Sequence, residues 1–167
     1  METKQQQSAD MEKVSKLITD IRIGMLTTQN EEGNLVSRPM AVMQVDEAGN
    51  LWFLTKERSP KLDHIDQNYK VNVAFADVAD ASYVSVSGSA QELHDRAKLE
   101  EIWSPMAKPW FPEGKDDPEL SILKVHIETA EYWDSTSSRM VRLFEMARAA
   151  LTGDTYKEGE NKLVENR

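Results

Sequence analysis

One hairpin pattern most constrains what this chain can fold into. Residues Leu35–Val45 are mostly apolar, and a short aromatic segment at residues 51–55 follows them after a polar turn that contains Gly49 and Asn50. Glycine and asparagine tolerate the backbone angles of tight turns, so the pattern predicts two antiparallel strands joined by a short loop. A sheet built on this hairpin is therefore the expected centre of the fold.

A predicted helix start directly after the hairpin carries the candidate chemistry. Ser59 is a good N-cap, and Pro60 suits the first helical position, where its missing amide costs nothing. Lys61 then lies in the first turn, where the helix dipole disfavours a cation unless an anion lies nearby. Thr55 and Arg38 could add a hydroxyl and a guanidinium from the two strands. The residues predict a phosphate clamp, although an ordinary cap beside a solvated lysine gives the same pattern.

Length and composition limit the classes of partner. The chain has 167 residues, which suits one domain with a sizeable core, and its formal net charge is -9. An acidic protein is not expected to bind nucleic acid or an anionic membrane. The sequence contains no cysteine, which excludes disulfides and thiol chemistry, and the histidine spacing does not predict a metal site. The polar N-terminus has no apolar targeting segment, so we expect a cytoplasmic protein.

Hydrophobic periodicity predicts the remaining elements. We expect further strands at residues 21–28, 71–76, 83–90 and 120–133, and helices at residues 10–20, 94–103 and 139–151. Asp10 is the predicted cap of the first helix, and Gly88 suggests either a bulge in its strand or a close approach of two backbones. The proline-rich segment 104–119 is a predicted loop, in which Trp110 and Phe111 are better explained as an anchor than as a lid. The apolar stripe of the last helix should pack on the barrel or on a partner subunit.

The order of several short motifs resembles a known family. Arg38-Pro39-Met40, then residues 52–55, then Ser59-Pro60-Lys61 together resemble the FMN-binding split barrels of the pyridoxamine 5′-phosphate oxidase-like superfamily. Residues 110–112 and 116–118 resemble its general stress protein branch. The resemblance implies a mainly β fold with flanking helices (α+β), a six-stranded antiparallel split β-barrel over residues 10–152. Residues 1–9 would be a flexible N-terminus, and 153–167 a charged C-terminal tail that is mobile or laid over a neighbour.

The resemblance also implies a cofactor site. Members of the superfamily are usually homodimers with FMN at the subunit interface. The positions that match the phosphate site are Arg38, Thr55, Ser59 and Lys61, and those that match the strands beside the flavin ring are Pro39, Met40, Trp52, Phe53 and Leu54. Trp133 matches a tryptophan near the end of the last strand that lies close to the flavin, and the resemblance implies that the partner chain supplies it. A tryptophan that merely closes the barrel is the alternative for Trp133.

Departures from the true oxidases leave the activity open. Met43, Leu54, Pro60 and Leu143 stand where those enzymes tend to have other residues, several of them basic. These differences argue against oxidation of pyridoxamine phosphate more than against flavin binding. Three classes follow: a flavin-binding stress protein with redox activity, a flavin-dependent oxidase or reductase with a defined small substrate, or an interaction protein without cofactor. The sequence predicts no specific catalytic residue.

Overall fold

An antiparallel sheet that closes on itself forms the body of the molecule. A computed structural model of the chain describes residues 3–56, 65, 69–135, 139–153 and 159–166. In chain order, its helices and strands are α1 (Lys4–Ile21), β1 (Ile23–Gln29), β2 (Leu35–Val45), β3 (Asn50–Lys56), β4 (Lys70–Asp77), β5 (Ser82–Leu93), α2 (Arg96–Ile102), β6 (Leu120–Asp134), α3 (Arg139–Thr152) and β7 (Glu160–Glu165).

Six of the strands make the barrel. The sheet order is β3-β2-β1-β4-β5-β6, and β3 also pairs with β6, so the sheet closes. The seventh strand, β7, pairs with the second half of β6, beyond the stretch that pairs with β3. All pairings are antiparallel, which confirms the predicted six-stranded split barrel and the strand boundaries to within a few residues.

The core follows from the alternation of inward and outward side chains along most of the strands. Inward-facing residues such as Leu26, Phe53 and Val73 are fully buried inside the barrel, and Val14 and Ile18 of α1 close one end of it. A second apolar cluster lies outside the barrel wall, where α2 and the proline-rich loop cover Trp52 and its neighbours; its buried members are Trp52, Leu99, Ile102, Ala107, Phe111, Leu120 and Ile122. These two clusters place both faces of β3 in apolar surroundings.

The aromatic pair in the proline-rich loop is split between core and surface. Phe111 is buried in the second cluster, as expected for an anchor, whereas Trp110 is exposed. The anchor prediction is therefore confirmed for Phe111 and wrong for Trp110. Adjacent side chains in this irregular segment point in different directions, and the cluster accommodates only one of the two rings.

Gly88 lies at the predicted irregularity in β5. The register with β6 shifts between Ser87 and Gly88, which pair with Thr129 and Ile127, so the extra residue of the bulge is Glu128 on β6, opposite Gly88. A Cβ built on Gly88 would lie 2.0 Å from the backbone oxygen of His126. Only a residue without a side chain permits this approach of two backbones.

The first helix begins earlier than the sequence suggests. It starts at Lys4, and the hydroxyl of its N-cap Thr3 accepts a hydrogen bond from the amide of Gln6. The prediction that Asp10 caps the helix is wrong, because Asp10 lies inside the helix and is buried. Three glutamines favour extension of the helix in the N-terminal direction, and one of them, Gln6, donates to Asp10.

The C-terminal segment is part of the sheet. Lys162 of β7 forms an ion pair with the buried Asp10 of α1, with 2.6 Å between Nζ and Oδ2. The hydroxyl of Tyr132 in β6 donates to Glu160, and Lys13 of α1 also bonds Glu160. The expectation of a mobile tail, or one laid over a neighbour, is wrong for Glu160–Glu165, whose Val164 packs in the barrel core.

In the part of the chain that the structure describes, no helix is both long enough and apolar enough to cross a bilayer.

Replacing the glycine at the bulge should destabilise the barrel. Gly88→Ala forces β5 and β6 apart, and we expect the free energy of unfolding to fall by about 1–3 kcal/mol, the usual cost of overpacking. Urea unfolding monitored by circular dichroism measures this loss. Ser87→Ala at the neighbouring exposed position is the control and should change stability by less than about 0.5 kcal/mol. Equal stabilities for the two variants would contradict the close backbone approach.

Removing the cation that pairs with Asp10 should loosen the C-terminal strand. Lys162→Met leaves a buried carboxylate with only its bond from Gln6, so we expect a loss of about 1–3 kcal/mol in unfolding free energy. Lys16→Met is the matched control, since it removes an exposed pair with Asp20 on the same helix and should cost less than about 0.5 kcal/mol. Hydrogen exchange of the β7 amides should accelerate only in Lys162→Met. Unchanged exchange would show that the ion pair does not hold the strand.

Candidate functional site: an anion-binding end of the barrel

Arg38 is a half-buried cation without a carboxylate partner among the described residues. It lies on β2, and its Nη1 donates to Thr28 Oγ1 at 2.6 Å and to the backbone oxygen of Leu26 at 3.3 Å. Its other guanidinium nitrogens donate to no described residue, and burial lowers the pKa of Arg38. A desolvated guanidinium normally has an anionic partner, because removing a charge from water is costly.

Thr55 presents an unsatisfied hydroxyl at the same end of the barrel. The residue lies on β3, is 3% exposed, and its Oγ1 has no hydrogen-bond partner in the described structure. A buried hydroxyl without a partner costs about 1–3 kcal/mol, so such groups are rare unless a ligand or water completes them.

Strand direction places these two groups at the same end of the barrel. Val42 of β2 lies opposite Phe53 of β3 in an antiparallel pair, and the pairing of these two strands ends there. Four residues back along β2 and two residues forward along β3 lead to the same end of the barrel, and both steps keep the inward orientation. Arg38 and Thr55 therefore lie beyond the paired stretch, on strands that run to one end of the barrel. A guanidinium and a hydroxyl are both groups that bind phosphate.

Two of the predicted clamp residues, Ser59 and Lys61, lie outside the described residues. The strand that leads to them, β3, ends at Lys56. Ile65, just beyond Lys61 in sequence, is helical and buried in the barrel core. The contribution of Ser59 and Lys61 to the clamp stays a prediction.

The residues that match the ring-binding strands separate into two sets. Met40 and Phe53 face inward and belong to the barrel core. Pro39 is exposed on the outside of β2, and Leu54 is half-buried on the outside of β3, beside the second apolar cluster. A planar ligand on the outer wall could therefore meet the side chains of Pro39 and Leu54, but only the backbone of Met40 and Phe53.

The remaining predicted residue, Trp133, lies at the opposite end of β6 from the position that pairs with Thr55. It is half-buried and opposite Tyr83 of β5. Ser121, at the start of the same strand, lies opposite Thr55. Twelve residues of strand separate the two positions, which is roughly 40 Å along the backbone. The strands therefore place Arg38 and Thr55 at one end of the barrel, and most of the length of β6 separates Trp133 from Thr55.

Sequence reasoning missed an uncharged surface on the outer wall. We call it the uncharged sheet face; its outward residues are Ser37, Pro39 and Ala41 of β2, Ile23, Met25 and Thr27 of β1, Asn72, Ala74 and Ala76 of β4, and Tyr83, Ser85 and Ser87 of β5. Ile23 and Met25 are 52% and 43% exposed. The alternation of apolar and small polar residues could have revealed it, but only strand order shows that four such strands are neighbours.

The other end of the barrel has the opposite electrostatic character. A cleft of about 310 Å³ between α1 and the β4–β5 turn is lined by four aspartates and two lysines, among other residues. Lys13 there bonds Asp134 and Glu160, and Lys16 bonds Asp20. Among the described residues, no group of three or more potential ligands is arranged to hold a metal ion. The Arg38 end is therefore the better anion site of the two.

The fold is a split barrel with a candidate anion site at one end, and comparisons with known proteins assign the family. The model of the family described as pyridoxamine 5′-phosphate oxidase like matches residues 9–157. The chain belongs to this family.

Individual relatives agree with that assignment. Protein bli-3 of Neurospora crassa is 29% identical over 150 residues, which cover 84% of this chain and 72% of that protein. A solved structure of a candidate general stress protein 26 from Jannaschia sp. CCS1 is 28% identical, with a TM-score of 0.75 over 95% of this chain and 99% of that one. The general stress FMN/FAD binding protein of Xanthomonas citri is 29% identical, with a TM-score of 0.65 over 81% and 93% of the two chains.

Replacing the unsatisfied hydroxyl by a methyl group should stabilise the protein in the absence of ligand. Thr55→Val keeps the shape of the side chain and removes a buried polar group that lacks a partner, so we expect unfolding free energy to rise by about 1 kcal/mol. Thr28→Val is the control, because that buried hydroxyl accepts from Arg38 and its loss should destabilise. Differential scanning calorimetry of ligand-free protein gives both shifts. A destabilised Thr55→Val would mean that the hydroxyl already has a partner.

Proposed function

We propose that this protein binds FMN, with the cofactor phosphate held by Arg38, Thr55, Ser59 and Lys61. The observation that carries the proposal is the half-buried guanidinium of Arg38, which has no carboxylate partner among the described residues and lies at the same end of the barrel as the orphaned hydroxyl of Thr55. A dianionic phosphate would satisfy both groups at once. The flavin-binding relative from Xanthomonas citri supports the choice of ligand.

The same chain offers a surface for the flavin ring. The outer sides of Pro39 and Leu54 provide apolar contacts, and the backbone of β2 and β3 near Met40 and Phe53 could bond polar atoms of the ring. When bound, the flavin supplies hydride or electron transfer, while the protein supplies binding, orientation and electrostatics. Arg38 would hold the phosphate, and the apolar wall beside Leu54 would keep water from one side of the ring.

We further propose that the working form is a homodimer with the site at its interface. The uncharged sheet face is exposed in a chain of formal charge -9, and exposed apolar surface without charge is typical of subunit contacts. The separation of Trp133 from Thr55 along β6 supports the same idea, because the family resemblance places the matching tryptophan beside the flavin from the partner chain. We also propose that the protein has oxidoreductase activity, a role in stress and a cytoplasmic location.

Flavin affinity tests the clamp directly. Arg38→Ala should weaken FMN binding by roughly 1.5–3 kcal/mol, or about 10- to 150-fold, because a charge-assisted bond to the phosphate is lost. Lys61→Glu should abolish FMN retention without unfolding the chain. Fluorescence titration with FMN measures both effects.

Riboflavin and a distant arginine are the controls for this titration. Riboflavin lacks the phosphate, so its affinity should be nearly the same in Arg38→Ala and in the unmodified protein. Arg96→Ala, on the exposed side of α2, should leave FMN affinity unchanged. If Arg38→Ala lost equal affinity for FMN and riboflavin, Arg38 would not contact the phosphate. If the purified protein showed no flavin absorbance and did not bind added FMN, the proposed function would be wrong.

A further inference from the structure

The last helix, α3, has an apolar stripe that nothing in the described chain covers. Leu143, Phe144 and Leu151 are 61%, 71% and 88% exposed, and Met146 beside them is 48% exposed. Of the two surfaces expected to cover this stripe, the barrel of its own chain does not cover the described side chains, and a partner subunit is the other.

A helix of this kind is not expected to persist without a partner. It has 14 residues, and isolated helices shorter than about 12–15 residues are marginal in water. Most helical stability in proteins comes from packing of the amphipathic face, and here that face is exposed. Another surface should therefore cover the stripe.

The charge of α3 indicates what kind of surface this is. Three arginines and one glutamate give the helix a formal charge of +2, whereas the whole chain carries -9, which leaves -11 on the rest. A second copy of this chain presents such an acidic body. An anionic membrane would attract the helix but repel the rest of the protein, so the second copy is the better match.

The position of α3 in the fold is consistent with an exchange between two copies. The helix is inserted between β6 and β7, whose ends pair at Asp134 and Glu160. The chain therefore leaves the sheet at the end of β6, forms α3, and rejoins the sheet at the same place as β7. The residue before Asp134 is Trp133, which lies opposite Tyr83 at the border of the uncharged sheet face. An arm that starts here can cross onto a partner seated on that face.

We propose that α3 is an arm that packs its apolar stripe against a second copy of this chain, beside the uncharged sheet face. The proposal rests on the homodimer proposed above and adds the element that holds it together. It also explains how Trp133, at the root of the arm, could reach the partner's ligand site. Leu143, Phe144 and Leu151 are the residues expected to be buried on association.

Charge substitution in the stripe tests the arm. The double variant Phe144→Glu, Leu151→Glu should raise the dimer dissociation constant at least tenfold in sedimentation velocity, with the circular dichroism of the barrel retained. Met106→Glu, an equally exposed apolar position on the proline-rich loop, is the control and should sediment like the unmodified protein. A double variant that dimerises like the control would overturn the proposal.

A spin label gives a second readout that does not depend on a disruptive substitution. The chain has no cysteine, so Ala147→Cys can be labelled at one position. We expect the label to be immobilised at concentrations where the protein is dimeric and mobile after dilution to monomer. A label that is mobile at every concentration, or that is immobilised only by vesicles of anionic phospholipid, would contradict packing on a second copy.

Flavin content separates this proposal from the proposed function. Loss of dimer in the double variant supports the arm whether or not the purified protein is yellow. An unmodified protein that binds FMN but sediments as a monomer at micromolar concentration would overturn the dimer and the arm, and would leave the phosphate clamp standing.

Discussion

The pairing of β3 with β6 is the interaction on which the rest of the structure depends. It converts an open sheet of antiparallel strands into a barrel, since β3 would otherwise be an edge strand. Its register sets Phe53 against Leu123 in the core and Thr55 against Ser121 at the barrel end. Closure also requires a long β6, which has 15 residues. This strand pairs with β5 along one side, and along the other side it pairs first with β3 and then with β7.

Closure of the barrel also determines where polar side chains are buried and therefore cost folding free energy. The barrel end that holds Arg38 and Thr55 is lined by inward-facing positions, so polar side chains there are withdrawn from water without full compensation inside the protein. At the other end, Asp10, Lys13, Tyr132, Glu160 and Lys162 satisfy one another. A hydrogen bond from Lys13, joined by one from Tyr132, lowers the pKa of Glu160, while burial and the bond to Glu160 raise the pKa of Tyr132. At one end of the barrel the polar side chains therefore bond one another. At the other end, Arg38 and Thr55 retain donors and acceptors that a ligand could satisfy.

Local signals in the sequence were reliable where they depended on neighbouring residues. The bounds of β2, the turn before Asn50 and the irregularity at Gly88 all follow from periodicity or from backbone freedom. Prediction was wrong where a distant partner decided the outcome. Asp10 has the chemistry of a cap but lies inside its helix opposite Lys162, and charged residues near the C-terminus form a strand because β6 has an unpaired edge there.

The sequence by itself determined the alternation that makes the strands, the turns that join them and the residue types of a phosphate clamp, because these properties act over a few neighbouring positions. Only the tertiary structure decided that Arg38 and Thr55 share one end of the barrel, that Met40 and Phe53 point into the core, and that most of the length of β6 separates Trp133 from Thr55. It also decided that four strands with small or apolar outer residues lie side by side. The physical reason is that strand order and register are set by contacts between residues distant in the chain, and no local pattern encodes them.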